Sequence, residues 1–122
     1  VDGDGAILMH TGTMALIGSR MPENFIHIIL NNCAHESVGG LPTVSSSIDF
    51  PAIARACGYL ATYKVQDEMS LLNILDKIKL QKGPILLEIG VSNSSRDDLG
   101  RPKTSPIQNK TDFMSFLQDG SS

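Results

Sequence analysis

Apolar and polar positions divide the chain into short buried runs and longer amphipathic segments. Nearly continuous apolar runs, rich in β-branched residues, occupy 25–30 and 84–91, and an alternating run occupies 59–65. Runs of this length and composition predict β-strands, and the continuous ones are typical of strands covered on both faces.

The segments between and around these strands carry apolar residues at helical spacing. This spacing predicts helices over 6–17, interrupted at Gly12, and over 51–57, 70–80 and 111–118. Strands that alternate with helices favour a parallel sheet with right-handed crossovers. The predicted fold class is therefore α/β, a three-layer parallel sheet with helices on both faces.

Two segments do not fit this alternation. Residues 33–47 contain Gly39-Gly40, Pro42 and Ser45-Ser46-Ser47, and they predict a long loop of the kind that is often functional. Val1-Asp2-Gly3 looks like the end of a strand that runs into a turn, whereas a buried strand usually needs about five or six residues. We therefore expect residues 1–122 to be a single domain from a longer protein.

Charge and composition narrow the class of partner. The net charge is −3, which leaves no basic surplus for a nucleic-acid backbone or an anionic membrane surface. No apolar run approaches the ~20 residues of a membrane-spanning helix, and no secretory leader opens the sequence. Cys33 and Cys57 make neither a disulfide framework nor a zinc site. These features favour a cytoplasmic domain.

Two short motifs remain as candidate chemistry, Gly3-Asp4-Gly5 and Asn31-Asn32. The first is not a dinucleotide fingerprint, because the third glycine is replaced by Leu8. It is not a calcium loop either, because Ala6 and Ile7 stand where an oxygen ligand and a glycine are needed. Each motif follows a predicted strand, and parallel strands place their carboxyl ends at one edge of the sheet. The two motifs are therefore expected to converge.

The residue types suit a magnesium–diphosphate site. Mg²⁺ prefers about six oxygen ligands and takes one or two from carboxylates. Asp4 offers a carboxylate, Asn32 an amide oxygen, and the loop after it a main-chain carbonyl. The glycines allow main-chain N–H groups to approach a diphosphate, and the following helix presents its N-terminus to the anion.

The spacing of the two motifs resembles the thiamine diphosphate-binding motif. The whole chain is similar to the C-terminal, diphosphate-binding domain of thiamine diphosphate-dependent 2-oxo acid decarboxylases. The strings at 34–43 and 95–102 resemble phosphonopyruvate decarboxylases in particular, and sulfopyruvate decarboxylase β subunits are the close alternative. The resemblance implies thiamine diphosphate and Mg²⁺ as cofactors. It also implies a lyase of phosphonate metabolism that converts phosphonopyruvate to phosphonoacetaldehyde and carbon dioxide.

The resemblance also implies site residues. Asp4, the Asn32 side chain and the Ala34 carbonyl would bind Mg²⁺, and His35 is a candidate contact to the substrate. A histidine bonded only to backbone or solvent is the alternative for that position. The full set implied for cofactor binding is Gly3, Asp4, Gly5, Ala6, Asn32 and Ala34.

The same resemblance implies a partner. In this family the glutamate that activates the cofactor belongs to a separate pyrimidine-binding domain, of the same or another subunit, in a homo-oligomer. Glu36, Glu68 and Glu88 are therefore not assigned that role, and the chain alone is expected to be inactive. A late cationic cluster of Arg96, Arg101 and Lys103 would suit a doubly anionic substrate or form a solvated surface.

Two alternatives from other classes stay open. One is a non-catalytic α/β binding module in which both motifs are only turns. The other is a magnesium-dependent binder of a different diphosphate.

Overall fold

A parallel sheet of four strands organises the chain. The computed structural model describes residues 1–94 and 98–119. The strand order is β1-β2-β6-β5, and all neighbouring strands are parallel. The strands are β1 (Asp2–Gly3), β2 (Ile26–Asn31), β5 (Ala61–Val65) and β6 (Ile85–Gly90). The three strands predicted at 25–30, 59–65 and 84–91 are thus confirmed, with ends shifted by one or two residues.

The register brings the carboxyl ends of the strands to one edge of the sheet. Asn31 at the end of β2 pairs with Gly90 at the end of β6, and Gly3 at the end of β1 pairs with Leu30. The residues that follow β1 and β2 therefore emerge side by side.

Within the described residues, five α-helices accompany the sheet: α1 (Asp4–Met9), α2 (Gly12–Arg20), α3 (Phe50–Cys57), α4 (Glu68–Ile78) and α5 (Pro106–Asp119). The predicted interruption near Gly12 separates α1 from α2, and Gly12 itself begins α2. The N-cap of α3 is Asp49, whose carboxylate accepts from the Ala52 N–H. The last helix begins at Pro106 rather than at Thr111, since proline is well tolerated in the first turn of a helix.

Helices cover both faces of the sheet, as predicted. Leu86 of β6 packs with Ile29, Phe50 and Met14 in a cluster formed with α1, α2 and α3. Its neighbours on β6, Ile85 and Leu87, face the other way. That second cluster is completed by α4 and β5, through Val65, Ile78, Leu71, Ile74 and Leu75. The described side chains of α5 are exposed and belong to neither cluster.

The segment 33–47 is more ordered in its pairing than a plain loop. It contains a two-stranded antiparallel ribbon, β3 (Ala34–His35) with β4 (Leu41–Pro42), and two short 3₁₀ turns. The Thr43 N–H donates to the Cys33 carbonyl and closes the ribbon. The predicted long loop thus contains short paired strands, which the sequence did not indicate because two-residue strands leave no periodic signal.

Three polar side chains contact one another beside the paired strands β1 and β2. The ring of His27 contacts the Tyr59 hydroxyl at 3.0 Å and the Asp2 carboxylate at 2.8 Å. Burial, aided by the nearby Cys57 and Asp2, raises the pKa of Tyr59 to about 12. Its phenol therefore stays neutral at physiological pH. None of the helices within the described ranges is long and apolar enough to cross a membrane.

Candidate functional site

The two motifs border one open cleft at the carboxyl edge of the sheet, of about 430 Å³, called the edge cleft below. One wall is Gly3, Asp4 and Gly5, where β1 passes into α1. The opposite wall is the segment that follows β2. The residues that line the cleft are Gly3, Asp4, Gly5, Leu30, Asn32, Ala34, His35, Glu36, Ser37, Val91, Ser92 and Ser94.

Asp4 is the first residue of α1 and is almost completely buried, with 1% of its surface exposed. Its carboxylate accepts a short hydrogen bond from the Thr43 hydroxyl. Helix α1 has Gly3 as its N-cap, which provides no side-chain cap. The N–H groups of its first turn have no intrahelical partners and are suited to an anion.

The two glycines beside Asp4 serve different purposes. A Cβ on Gly3 would meet no protein atom within 4 Å, so its lack of a side chain leaves open space in the edge cleft. A Cβ on Gly5 would lie 2.4 Å from Nδ1 of His35. Gly5 is therefore required by the packing of the His35 ring, a reason that differs from the predicted approach of its main chain to a diphosphate.

Asn32 is held by contacts at both ends of its amide. Its Oδ1 accepts from the Ala34 N–H at 3.1 Å, and its Nδ2 donates to Glu36 at 3.1 Å. The first contact forms an Asx turn that fixes the side chain at the mouth of the edge cleft. An amide oxygen has two lone pairs, so Oδ1 retains one for a metal.

Ala34 lies in β3 opposite Pro42 of β4. Because the Thr43 N–H donates to the Cys33 carbonyl, Ala34 and Pro42 form a non-hydrogen-bonded antiparallel pair, and the Ala34 carbonyl points away from β4. The side chain of Ala34 is buried, and its backbone lines the cleft close to Asn32. Its carbonyl is the second candidate oxygen donor on this wall, after the amide oxygen of Asn32.

Some predicted residues are not among those that line the cleft, although the main-chain N–H of Ala6 belongs to the first turn of α1. Ala6 is exposed on α1 and is not among the lining residues. Arg101 and Lys103 are exposed and likewise do not line the cleft, while Arg96 lies outside the described residues. The structure therefore does not bring Arg101 or Lys103 of the late cationic cluster to the motifs.

A buried polar network lies behind the edge cleft, and it was not predicted from the sequence. Asn31, which received no role, donates to Glu88 of β6 at 2.8 Å and accepts from Ser45 at 2.9 Å. Ser45 in turn lies 2.8 Å from the Thr43 hydroxyl. The available signal was Glu88 itself, a charged residue inside an otherwise apolar strand. Ser45 and Thr43 could not be recognised from the sequence, because serine and threonine are common in loops.

The charges of the edge cleft decide what it can bind. Among its described lining residues the ionisable carboxyl groups are Asp4 and Glu36, and there is no lysine or arginine. A diphosphate therefore needs a divalent cation to neutralise it here. Within residues 1–94 and 98–119, no three His, Cys, Asp or Glu side chains cluster as a metal site. The donors must then include amide and main-chain oxygens.

These residues fit a magnesium–diphosphate group. A buried carboxylate, an amide oxygen and a main-chain carbonyl form a set of hard oxygen donors, which is the type that Mg²⁺ prefers. The open space at Gly3 and the uncapped start of α1 leave room and N–H donors for an anion next to those oxygens.

Comparison with known proteins identifies the family. The model for "Thiamine pyrophosphate enzyme, C-terminal TPP binding domain" matches residues 1–89. The chain belongs to this family. The match includes both motifs, β6 up to Ile89 and the ribbon that carries Ala34, so thiamine diphosphate is the cofactor of this fold.

Individual relatives are also similar. The chain is 39% identical over 117 residues to a phosphonopyruvate decarboxylase of Streptomyces viridochromogenes, and 39% identical over 119 residues to that of Streptomyces hygroscopicus. These matches cover 96% and 98% of the chain. A sulfopyruvate decarboxylase subunit beta of Methanococcus maripaludis is 28% identical over 118 residues, which is 63% of that protein and 97% of the chain. The chain spans 30% of each phosphonopyruvate decarboxylase.

Proposed function

We propose that the protein carrying this domain is a thiamine diphosphate- and Mg²⁺-dependent 2-oxo acid decarboxylase. Its substrate is proposed to be phosphonopyruvate, which yields phosphonoacetaldehyde and carbon dioxide. The observation that carries the proposal is the edge cleft. It is lined by Asp4, Asn32 and Ala34 and has no lysine or arginine among its described lining residues.

The chain's own residues have a defined task in this reaction. Asp4, the amide oxygen of Asn32 and the carbonyl of Ala34 hold Mg²⁺, and main-chain N–H groups at the start of α1 receive the diphosphate. When bound, thiamine diphosphate supplies the electron sink that carbon dioxide release from a 2-oxo acid requires. His35 and Ser37 follow the proposed metal ligands in the sequence and also line the cleft. They are the candidate side-chain contacts to the substrate.

The proposal includes a larger assembly. Residues 1–122 act as one diphosphate-binding domain, and a pyrimidine-binding domain of the same or another subunit completes the site. A cytoplasmic homo-oligomer is the expected form. Support comes from the length of the relatives, of which the chain spans 30%.

The direct test is cofactor binding by the full-length protein. Isothermal titration calorimetry would measure thiamine diphosphate binding with and without Mg²⁺ for the wild type, Asp4→Ala and Asp76→Asn. Asp76 of α4 is exposed and forms an ion pair with Lys79, so its variant matches the loss of one negative charge away from the cleft. We expect magnesium-dependent binding in the wild type and Asp76→Asn, and at least about a 100-fold loss in Asp4→Ala. A wild type that does not bind the cofactor at all supports the non-catalytic module instead.

Sulfopyruvate is the second candidate substrate, because the subunit beta match extends along almost the whole chain. The higher identity to the phosphonopyruvate decarboxylases favours the phosphonate. Steady-state kcat/KM on both compounds, measured with the complete enzyme, separates them. We expect a preference of at least about tenfold for phosphonopyruvate, which corresponds to about 1.4 kcal/mol of transition-state binding.

A further inference from the structure

Glu88 occupies a position that packing alone does not explain. It lies in the middle of β6, is 1% exposed, and has Leu87 and Ile89 as neighbours. Its Oε1 accepts from Lys64 at 2.9 Å and from Asn31 at 2.8 Å. Its Oε2 is buried and finds no hydrogen-bond partner within the described residues. An unpaired buried oxygen lowers stability, so an apolar residue would serve the sheet better.

The contact with Asn31 fixes the orientation of that amide. Because Nδ2 of Asn31 donates to Glu88, its Oδ1 must point the opposite way. There it accepts from the Cys33 N–H at 3.1 Å and from Ser45 at 2.9 Å. Cys33 has a φ of 58°, a left-handed conformation that is unusual for a residue other than glycine. The Asn31 amide therefore stabilises a strained backbone turn.

Two paths lead from Asn31 to the proposed metal ligands. Cys33 stands between Asn32 and Ala34, so its left-handed turn sets where their oxygens lie. On the other path, the Ser45 N–H donates to the Thr43 hydroxyl at 3.3 Å, and that hydroxyl donates to the Asp4 carboxylate. One buried network thus contacts both walls of the edge cleft.

We infer that Glu88 is a positioning residue for the metal site: through Asn31 it sets the geometry of Asp4, Asn32 and the Ala34 carbonyl. The inference rests on the proposed function, since it concerns the affinity of the same cation site. Glu88 is not among the residues that line the edge cleft, so its influence is indirect. The half-exposed Lys64 balances the charge of its carboxylate.

The first test compares two substitutions at Glu88 in the full-length protein. Glu88→Gln keeps an oxygen that can accept from Asn31, whereas Glu88→Met removes the acceptor and keeps the length. Mg²⁺ affinity is measured by calorimetry at saturating thiamine diphosphate, and thermal midpoints are measured without either. We expect Glu88→Met to bind Mg²⁺ at least about tenfold more weakly, and Glu88→Gln to stay within about threefold of the wild type.

A merely structural role gives a different pattern. Glu88→Met would then change the thermal midpoint while its Mg²⁺ affinity stayed within about threefold of the wild type, and that result would overturn the inference. Asp76→Asn again provides the control for one lost negative charge.

A second test does not depend on Glu88→Met folding. Asn31→Asp places a carboxylate against Glu88 and should weaken Mg²⁺ binding about tenfold or more. In Asn31→Asp/Glu88→Gln the donor and acceptor are exchanged, so the amide at 88 donates to the carboxylate at 31. We expect the double variant to recover most of the lost affinity. A double variant as weak as Asn31→Asp alone would contradict the role of this hydrogen bond.

The outcomes separate the inference from the proposed function. If the wild type shows no magnesium-dependent cofactor binding, the proposed function fails. If the wild type binds, Asp4→Ala does not, and both Glu88 variants bind as the wild type does, only the inference fails.

Discussion

At the scale of single residues, the Gly-Asp-Gly motif consists of three positions with three different physical reasons. Asp4 supplies a buried carboxylate, Gly3 leaves space in the edge cleft, and Gly5 admits the ring of His35. Asp4 and Asn32 could be chosen from the sequence because their residue types suit Mg²⁺ and their spacing suits one sheet edge. The role of His35 in packing on Gly5 could not, because it depends on the ribbon that follows Asn32.

The packing of Gly5 against His35 predicts that Gly5→Ala destabilises the wild type but stabilises a variant that lacks the His35 ring. In the wild-type background, Gly5→Ala should lower the free energy of unfolding by about 1 kcal/mol, because the new methyl group displaces the His35 ring. In a His35→Ala background the space is free, and Gly5→Ala should raise the free energy of unfolding by about 0.5 kcal/mol, because alanine has a higher helix propensity than glycine. Urea unfolding measures both. Gly3→Ala, which meets no atom, is the matched control, and equal effects in the two backgrounds would refute the packing argument.

Tyr59 predicts a pH dependence at high pH. Its pKa in the folded protein, about 12, lies above the ordinary value of 10. The stability that its neutral phenol contributes is therefore complete below about pH 10 and is lost as the pH rises towards about 12. Between about pH 9 and pH 11.5, the wild type should lose more unfolding free energy than Tyr59→Phe. Tyr63→Phe, which removes an exposed hydroxyl bonded to Gln81, should behave as the wild type does. If the unfolding free energies of the wild type, Tyr59→Phe and Tyr63→Phe fell in parallel with rising pH, that would contradict this prediction.

At the scale of elements, periodicity predicted the helices and the three long strands, because each carries several apolar residues in register. It could not predict β3 and β4, whose pairing depends on the Cys33–Thr43 backbone contact. Nor could it show how closely helices approach each other. A Cβ on Gly18 of α2 would lie 1.7 Å from the Cys57 carbonyl oxygen at the end of α3.

The α2–α3 contact predicts opposite effects for two glycines of one helix. Gly18→Ala should lower the free energy of unfolding by about 3 kcal/mol, because backbone must move to admit the methyl group. Gly12→Ala meets no atom within 4 Å and should raise it by about 0.5 kcal/mol. Thermal or urea unfolding of the two variants checks this. A Gly18→Ala protein as stable as Gly12→Ala would show that the helices do not approach so closely.

At the scale of the whole molecule, the edge cleft is open and its proposed chemistry needs groups that the chain does not supply. The network behind the cleft extends from Lys64 on β5 through Glu88 and Asn31 to Asp4 on α1, so it connects three strands with the first helix. The sequence could predict the edge at which ligands meet. It could not predict this network, since its members are spread over 85 positions of loop and strand.

A consequence for activity follows at this scale. Residues 1–122 on their own should release no carbon dioxide from phosphonopyruvate in the presence of Mg²⁺ and thiamine diphosphate, because the glutamate that activates the cofactor is expected on another domain. A coupled assay of carbon dioxide release measures this, with the full-length enzyme as the positive control. Turnover by the 122-residue chain would contradict the expectation.

The position of the bound cation tests the central claim most directly. Crystals of the full-length protein grown with thiamine diphosphate and Mn²⁺ in place of Mg²⁺ would show the metal by its anomalous scattering. The account predicts one peak in the edge cleft, about 2.1–2.3 Å from a carboxylate oxygen of Asp4, Oδ1 of Asn32 and the carbonyl oxygen of Ala34. A diphosphate and metal bound away from Asp4 and Asn32 would contradict it.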